Sequence, residues 1–216
     1  MKKKTFLILF IIMLSCTTKK ASTDYIKNLP NHQFIDSTAN LSNNELNIVN
    51  DFLEVELKAD LYKSYKNFNF FVIEEADKKI KPLYAYEFSH KEFYKRNKER
   101  DFWLLDSLQI KKKKEEIQFE KQYYWKVSDF KNIEVSTIKY EDLRTIINTG
   151  AYISLPSKLI IYLSKPLIID DKNALISFNI GNGNSGYSEI NHFTVLMKKV
   201  NEKWIQYEFF DNGVMQ

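Results

Sequence analysis

The chain has 216 residues, 44% of them hydrophobic, and a formal charge of +4 to which Lys2, Lys3 and Lys4 contribute most. A nucleic-acid binder carries a clustered basic excess that this balance excludes, and a single cysteine excludes an intrachain disulfide, so the fold must rest on packing. Sixteen Phe, 13 Tyr and 3 Trp supply the material for a core, since each aromatic ring can bury about 150–250 Å².

The chain opens "MKKKTFLILFIIMLSC", in which three lysines precede an apolar run from Phe6 to Leu14, followed by Ser15 and Cys16. A charged start, a short apolar stretch and a small residue before a cut predict a secretory leader over residues 1–15. The apolar run falls well short of the roughly 20 residues that a membrane-spanning helix needs. Its removal leaves a mature chain close to neutral, near +1.

"MLSC" resembles the lipobox of bacterial lipoproteins, with Leu14 and Ser15 before Cys16 and Met13 where Leu is usual. The resemblance implies that Cys16 carries a diacylglyceryl thioether and an acylated amine, and so anchors the chain in a membrane. Thr17 follows where an inner-membrane retention signal would place Asp, which implies the outer membrane. No acidic cluster follows Cys16 to resemble a surface-export signal, so a periplasm-facing position is expected.

Residues 16–40, beginning "CTTKKASTDYIKNLPNHQF", are polar and lack apolar periodicity, and they predict a flexible tether. A single globular domain is expected over 41–216. Its first element is a helix: Ser42 followed by Glu45 fits a capping box, and Leu46, Val49, Leu53, Leu57 and Leu61 recur as one apolar stripe reinforced by Ile48 and Phe52.

Between residues 68 and 139, "FNFFVIEEA", "PLYAYEF" and "DFWLLDSLQI" are short apolar stretches that fit either strands or fragments of helix, with strands the weak preference. "YEDLRTIINTG" predicts a short helix, with acidic residues in its first turn and Gly150 placed to end it. The last sixty residues predict a β-meander. "KLIIYLSKPLIID" is a strand pair or one strand interrupted at Pro166, "ALISFNI" and "HFTVLMKKV" follow, and "WIQYEFF" closes it with Ile205, Tyr207 and Phe209 on a half-buried face. This tail, from "SKPLIIDDKNALISF" through a glycine loop to "EKWIQYEFF", resembles that of uncharacterised Bacteroidota envelope lipoproteins, although the cysteines often found in their glycine loop are missing. That resemblance brings no activity with it. The expected fold class is α+β: an N-terminal amphipathic helix packed on an antiparallel sheet with a C-terminal meander.

Gly181, Gly183 and Gly186 spell GxGxxG, but a dinucleotide fingerprint needs a helix after its glycine turn, and "YSEINHFTVLM" has the alternation of a strand. No nucleotide, and no other cofactor, is expected. "GYSEI" lacks the second small residue of a nucleophile elbow, and His32, His90 and His192 have no zinc-ligand spacing. Asp170, Asp171, Asn173 and Glu189 could offer oxygens to calcium but lack an EF-hand pattern, and Lys111–Lys114 runs straight into Glu115 and Glu116, as a solvated face does. The sharpest binding candidates are Tyr123, Tyr124, Trp125 and Trp204, which on an exposed strand face would stack on sugar rings or a protein partner. The expected function is therefore a membrane-tethered, non-enzymatic module that binds an envelope protein or glycan. A carboxylate-dependent hydrolase is the alternative.

Overall fold

The hydroxyl of Ser42 accepts the Glu45 backbone N–H at 3.2 Å while the Glu45 carboxylate takes the Ser42 N–H at 2.8 Å, so two of the donors that a helix start leaves free are satisfied reciprocally. This pair opens α1 (Asn43–Glu56) in a computed structural model that describes residues 39–96, 103–154, 156–184 and 186–210. All of them belong to one compact unit, Ile35–Gln216. The leader, Cys16, His32 and the tether up to residue 38 lie outside the described residues. The folded part already includes Ala39, whose N–H donates to the Gln122 carbonyl at 3.3 Å.

The elements after α1 are β1 (Asn69–Ile73), α2 (Ile80–Arg96), α3 (Ser107–Ile117), β2 (Ser136–Ile138), α4 (Tyr140–Asn148), β3 (Lys158–Leu163), β4 (Leu167–Ile168), β5 (Asn173–Asn182), β6 (Ser188–Val200) and β7 (Lys203–Phe210). The molecule is mixed α/β. Its seven strands form one mostly antiparallel sheet in the order β2-β1-β3-β5-β6-β7, with β4 also on β5. The sheet is not antiparallel throughout: β1 runs parallel to both β2 and β3. Parallel neighbours need a crossover, and α2 with α3 supplies the first while α4 supplies the second.

Helices cover both faces of this sheet. On one, Ile48, Val49, Phe52 and Leu53 of α1 pack against Phe178, Phe193, Val195 and Met197, with Phe52 edge-on to Phe178 at 5.3 Å. On the other, Leu83 and Tyr86 of α2 and Ile110 of α3 meet Leu175, Leu196 and Phe210, and Leu143 of α4 covers Ile73 and Ile160. Coverage on both sides explains why β5 reads as a nearly continuous apolar run.

Four expectations are corrected. The stripe predicted through Leu61 stops at Leu57, the C-cap of α1; Leu61 lies in a 3₁₀ turn, Asp60–Tyr65, and is exposed. "PLYAYEF" is helix: Leu83, Tyr86 and His90 are buried at spacings of three and four, while Tyr84 and Phe88 face solvent. "DFWLLDSLQI" leads into a helix, since Asp106 and Gln109 form a second capping box that starts α3. On β7 the buried residues are Trp204 and Phe210, not Ile205, Tyr207 and Phe209, which are 42%, 58% and 55% exposed. A bulge shifts the β6–β7 register between Leu196 and Met197, so Leu196 pairs with Glu208 and Met197 with Gln206, and Tyr207 is left over.

The interruption at Pro166 has a specific compensation. β3 and β4 pair with successive halves of β5, and between them the Ser164 hydroxyl accepts the Ser177 backbone N–H at 2.8 Å.

Candidate functional site

Tyr123, Trp125 and Trp204 do not form a stacking surface, because each is at least 94% buried. Their polar atoms are spent inside the domain: the Tyr123 hydroxyl donates to Asp129 at 2.7 Å, the Trp125 indole to the Leu163 carbonyl at 3.3 Å and the Trp204 indole to Asn44 at 3.3 Å. Burial and the Asp129 carboxylate both push the Tyr123 phenol above its ordinary value, as suits a neutral core donor. Tyr124 is half-buried and bridges to Glu75. A core without disulfides consumed these rings.

The Gly181–Gly186 loop joins the antiparallel strands β5 and β6. At Gly181 a Cβ would fall 2.5 Å from the Tyr187 ring and 2.7 Å from the Ser188 carbonyl, and Gly186 has φ +97°, so these glycines answer to close packing and a left-handed turn. Asp170 accepts from the Lys172 N–H and the Asn173 amide in an exposed turn, whereas Glu189 lies at the opposite end of β5, bonded to Asn179 at 2.7 Å and to His192 at 2.5 Å. The oxygens considered for calcium are therefore not brought together. His90 packs on Trp103 with ring centroids 4.3 Å apart, and burial holds its imidazole below the ordinary value. Lys113 and Lys114 of the lysine run pair with Glu116 and Glu87. Among the described residues no group of three or more His, Cys, Asp or Glu side chains could hold a metal ion, and no helix is long and apolar enough to cross a membrane.

A concavity among the described residues lies elsewhere. A groove of about 540 Å³ runs between the C-terminal end of α1, the residues leading into β1 and the segment 132–136 entering β2. Local sequence builds each wall. After Leu57 caps α1, the chain turns through Asp60–Tyr65, and Tyr65 meets Phe68 edge-on at 5.1 Å, which directs Phe68 and Phe70 into the floor. Asn50 of α1 donates to the Asp129 carbonyl at 2.8 Å and accepts the Lys131 N–H, which fixes the opposite wall to the helix. Asn132 then reverses the chain at φ 60°, a conformation that asparagine tolerates better than most residues.

Half-buried Leu57, Phe68, Phe70 and Ile133 form the floor, over fully buried Leu53. Exposed Lys66, Asn67, Asn69, Asn132, Glu134 and Ser136 form the rim. Glu54 also lines the groove, but Lys58 at 3.4 Å and Lys203 at 3.7 Å engage its carboxylate. Sequence reading did not single out this groove. Its one local signal is the alternation Asn67-Phe68-Asn69-Phe70, which sets the two rings on one face of the chain where it enters the sheet.

The chain matches no protein-family model, no curated protein and no solved structure.

Proposed function

We propose that this chain is a membrane-tethered lipoprotein of the bacterial outer membrane, facing the periplasm, whose globular domain is a non-enzymatic module for an envelope protein or glycan. The leader pattern ending at Cys16 supports the tether, and the groove between α1 and β1 supports the binding role. That groove carries the reading: its volume falls in the range of about 300–1,000 Å³ typical of ligand sites, and it combines an apolar floor with a few polar groups that can fix a ligand's orientation. Several acyl chains on Cys16, each contributing about 0.8 kcal/mol per buried methylene, would hold the domain at the bilayer where one chain would not. The module needs no nucleic acid, nucleotide or cofactor.

Fractionation tests the tether. Cys16→Ser is expected to move the protein from the membrane pellet to the soluble fraction or to stall its maturation; a variant that matures and pellets like wild type would refute it. A second reading, a carboxylate-dependent hydrolase, draws on the presence of Glu54 and Glu134 in the same groove. Such chemistry asks one carboxyl to donate a proton while the other stays ionised, and Lys58 and Lys203 already engage the Glu54 carboxylate. Product release from a bound glycan that Glu134→Gln abolishes without weakening binding would favour the hydrolase.

A further inference from the structure

We propose that the outward face of α3 lies on the membrane that holds the anchor, with Leu108 and Phe119 entering the headgroup boundary and Lys111 and Lys112 resting on anionic lipid phosphates. The assignment rests on the tether reading above and adds which side of the domain meets the bilayer. α3 divides its own residues. Ile110 is buried with Leu83 and Tyr86 of α2, and Lys114 reaches Glu87 of the same helix, so one side of α3 is fixed to the fold. Leu108, Lys111, Lys112 and Glu115 recur at spacings of three and four on the other side, and all four are exposed. Among the described residues neither Lys111 nor Lys112 makes an ion pair or a side-chain hydrogen bond.

Apolar side chains flank these two cations. Phe119 and Leu108 are 84% and 75% exposed, whereas the other exposed large apolar side chains, Ile153 apart, lie between 42% and 58%. Leu108 stands in the first turn of α3 and Phe119 just past its C-cap Gln118, roughly 16 Å apart at the helical rise per residue. Lysines between exposed apolar groups are what a helix lying in a membrane interface presents. Ile153 lacks the combination, since residues 151–157 contain no basic side chain.

The place where the tether joins the domain selects the same face. Ala39 donates its N–H to the Gln122 carbonyl at 3.3 Å, and Gln122 follows Phe119 by three residues, at most about 11 Å of chain. Coiled, residues 16–38 would average about 25–30 Å end to end, which keeps this end of the domain at the bilayer. Charge agrees with an anionic surface. Glu116 is held by Lys113 and Glu120 by Lys165, and Asp106 is engaged by the Gln109 N–H at the helix start, while Lys121 adds a further exposed cation without an ion pair beside Phe119. Glu115 is the one free carboxylate within the stripe.

The lipidated chain itself tests the assignment. With the Cys16 sulfur in a thioether, Gln118→Cys supplies the single thiol for a polarity-sensitive dye beside Phe119. In vesicles of phosphatidylethanolamine and phosphatidylglycerol the dye should emit to the blue and be quenched by spin-labelled lipid, while the same dye at Ile153→Cys stays water-like. Lys111→Gln combined with Lys112→Gln should lower the ratio of docked to undocked protein roughly tenfold or more, because each lysine near an anionic surface favours contact about fivefold. Phosphatidylcholine vesicles should lower it similarly, and Phe119→Ser should do so with an unchanged melting temperature. A water-like dye at position 118 in the anchored protein, or an undiminished blue shift in the double lysine variant, overturns the docked face, leaves it for a protein partner and leaves the anchor standing. A chain that fails to enter vesicles and also takes up dye at Cys16 removes both the anchor and the docked face.

Discussion

Lys165 shows how this fold treats a charge that it has buried. It follows β3 at the break before Pro166, is only 2% exposed, and lies 2.8 Å from Glu120 Oε1 while donating to the Lys121 carbonyl at 2.6 Å. The second Glu120 oxygen accepts the Lys79 N–H at 2.8 Å, so the pair ties the α3–β2 connection to the base of α2. Removing one member of such a pair strands the other, typically at a cost of about 3–5 kcal/mol. Lys165→Ala should therefore lose stability of that order in urea unfolding; a change within about 0.5 kcal/mol, the usual range for exposed sites, would show that the pair contributes little. Nothing in the local sequence distinguishes Lys165 from the exposed lysines of the chain, because its partner lies 45 residues away. The same limit explains the aromatics. Tyr123, Trp125 and Trp204 have the composition of a stacking surface, and only the packing of α1 and Phe130 around them decides that they are core.

Among the elements, α1 was the most legible, because its start is written in two residues and its buried face in a period of three and four. Glu45 of the capping box also makes this helix pH-sensitive. Burial would push its carboxyl up, but the Lys79 ammonium at 2.6 Å and the Ser42 N–H and hydroxyl outweigh it and hold the carboxyl below its ordinary 4.5. A carboxyl whose value is lower folded than unfolded stabilises the fold above the unfolded value, and that stability drains away as pH falls from 4.5 through the lower folded value. Thermal melts across that range should show a smaller acid-induced loss in Glu45→Gln than in wild type, at the expense of lower stability near neutrality. Equal slopes would contradict the assignment. The α2 segment was illegible for the opposite reason: Tyr84, Tyr86 and Phe88 alternate as a strand would, and this masks the helical spacing of Leu83, Tyr86 and His90 that tertiary packing selects. At β7 no single face is buried, since the bulge lets Trp204 join the core under α1 and Phe210 the core under α2.

At the scale of the whole molecule, the sheet with helices on both faces forms the scaffold, and the groove opens where α1 ends before it has covered the β1–β2 side. The mostly antiparallel C-terminal half was readable because each strand carries its own turn signals, such as the asparagine and glutamate at φ 49° and 64° between β6 and β7. The parallel half was not, because β1, β2 and β3 are brought together across helices rather than turns. The proposal of a tethered binding module stands or falls with the state of Cys16. Mass spectrometry of the amino-terminal peptide of the mature protein, purified from membranes, is expected to begin at Cys16 and to carry a diacylglyceryl thioether with an acylated amine. A free thiol at Cys16, or a peptide that still retains residues 1–15, would contradict it.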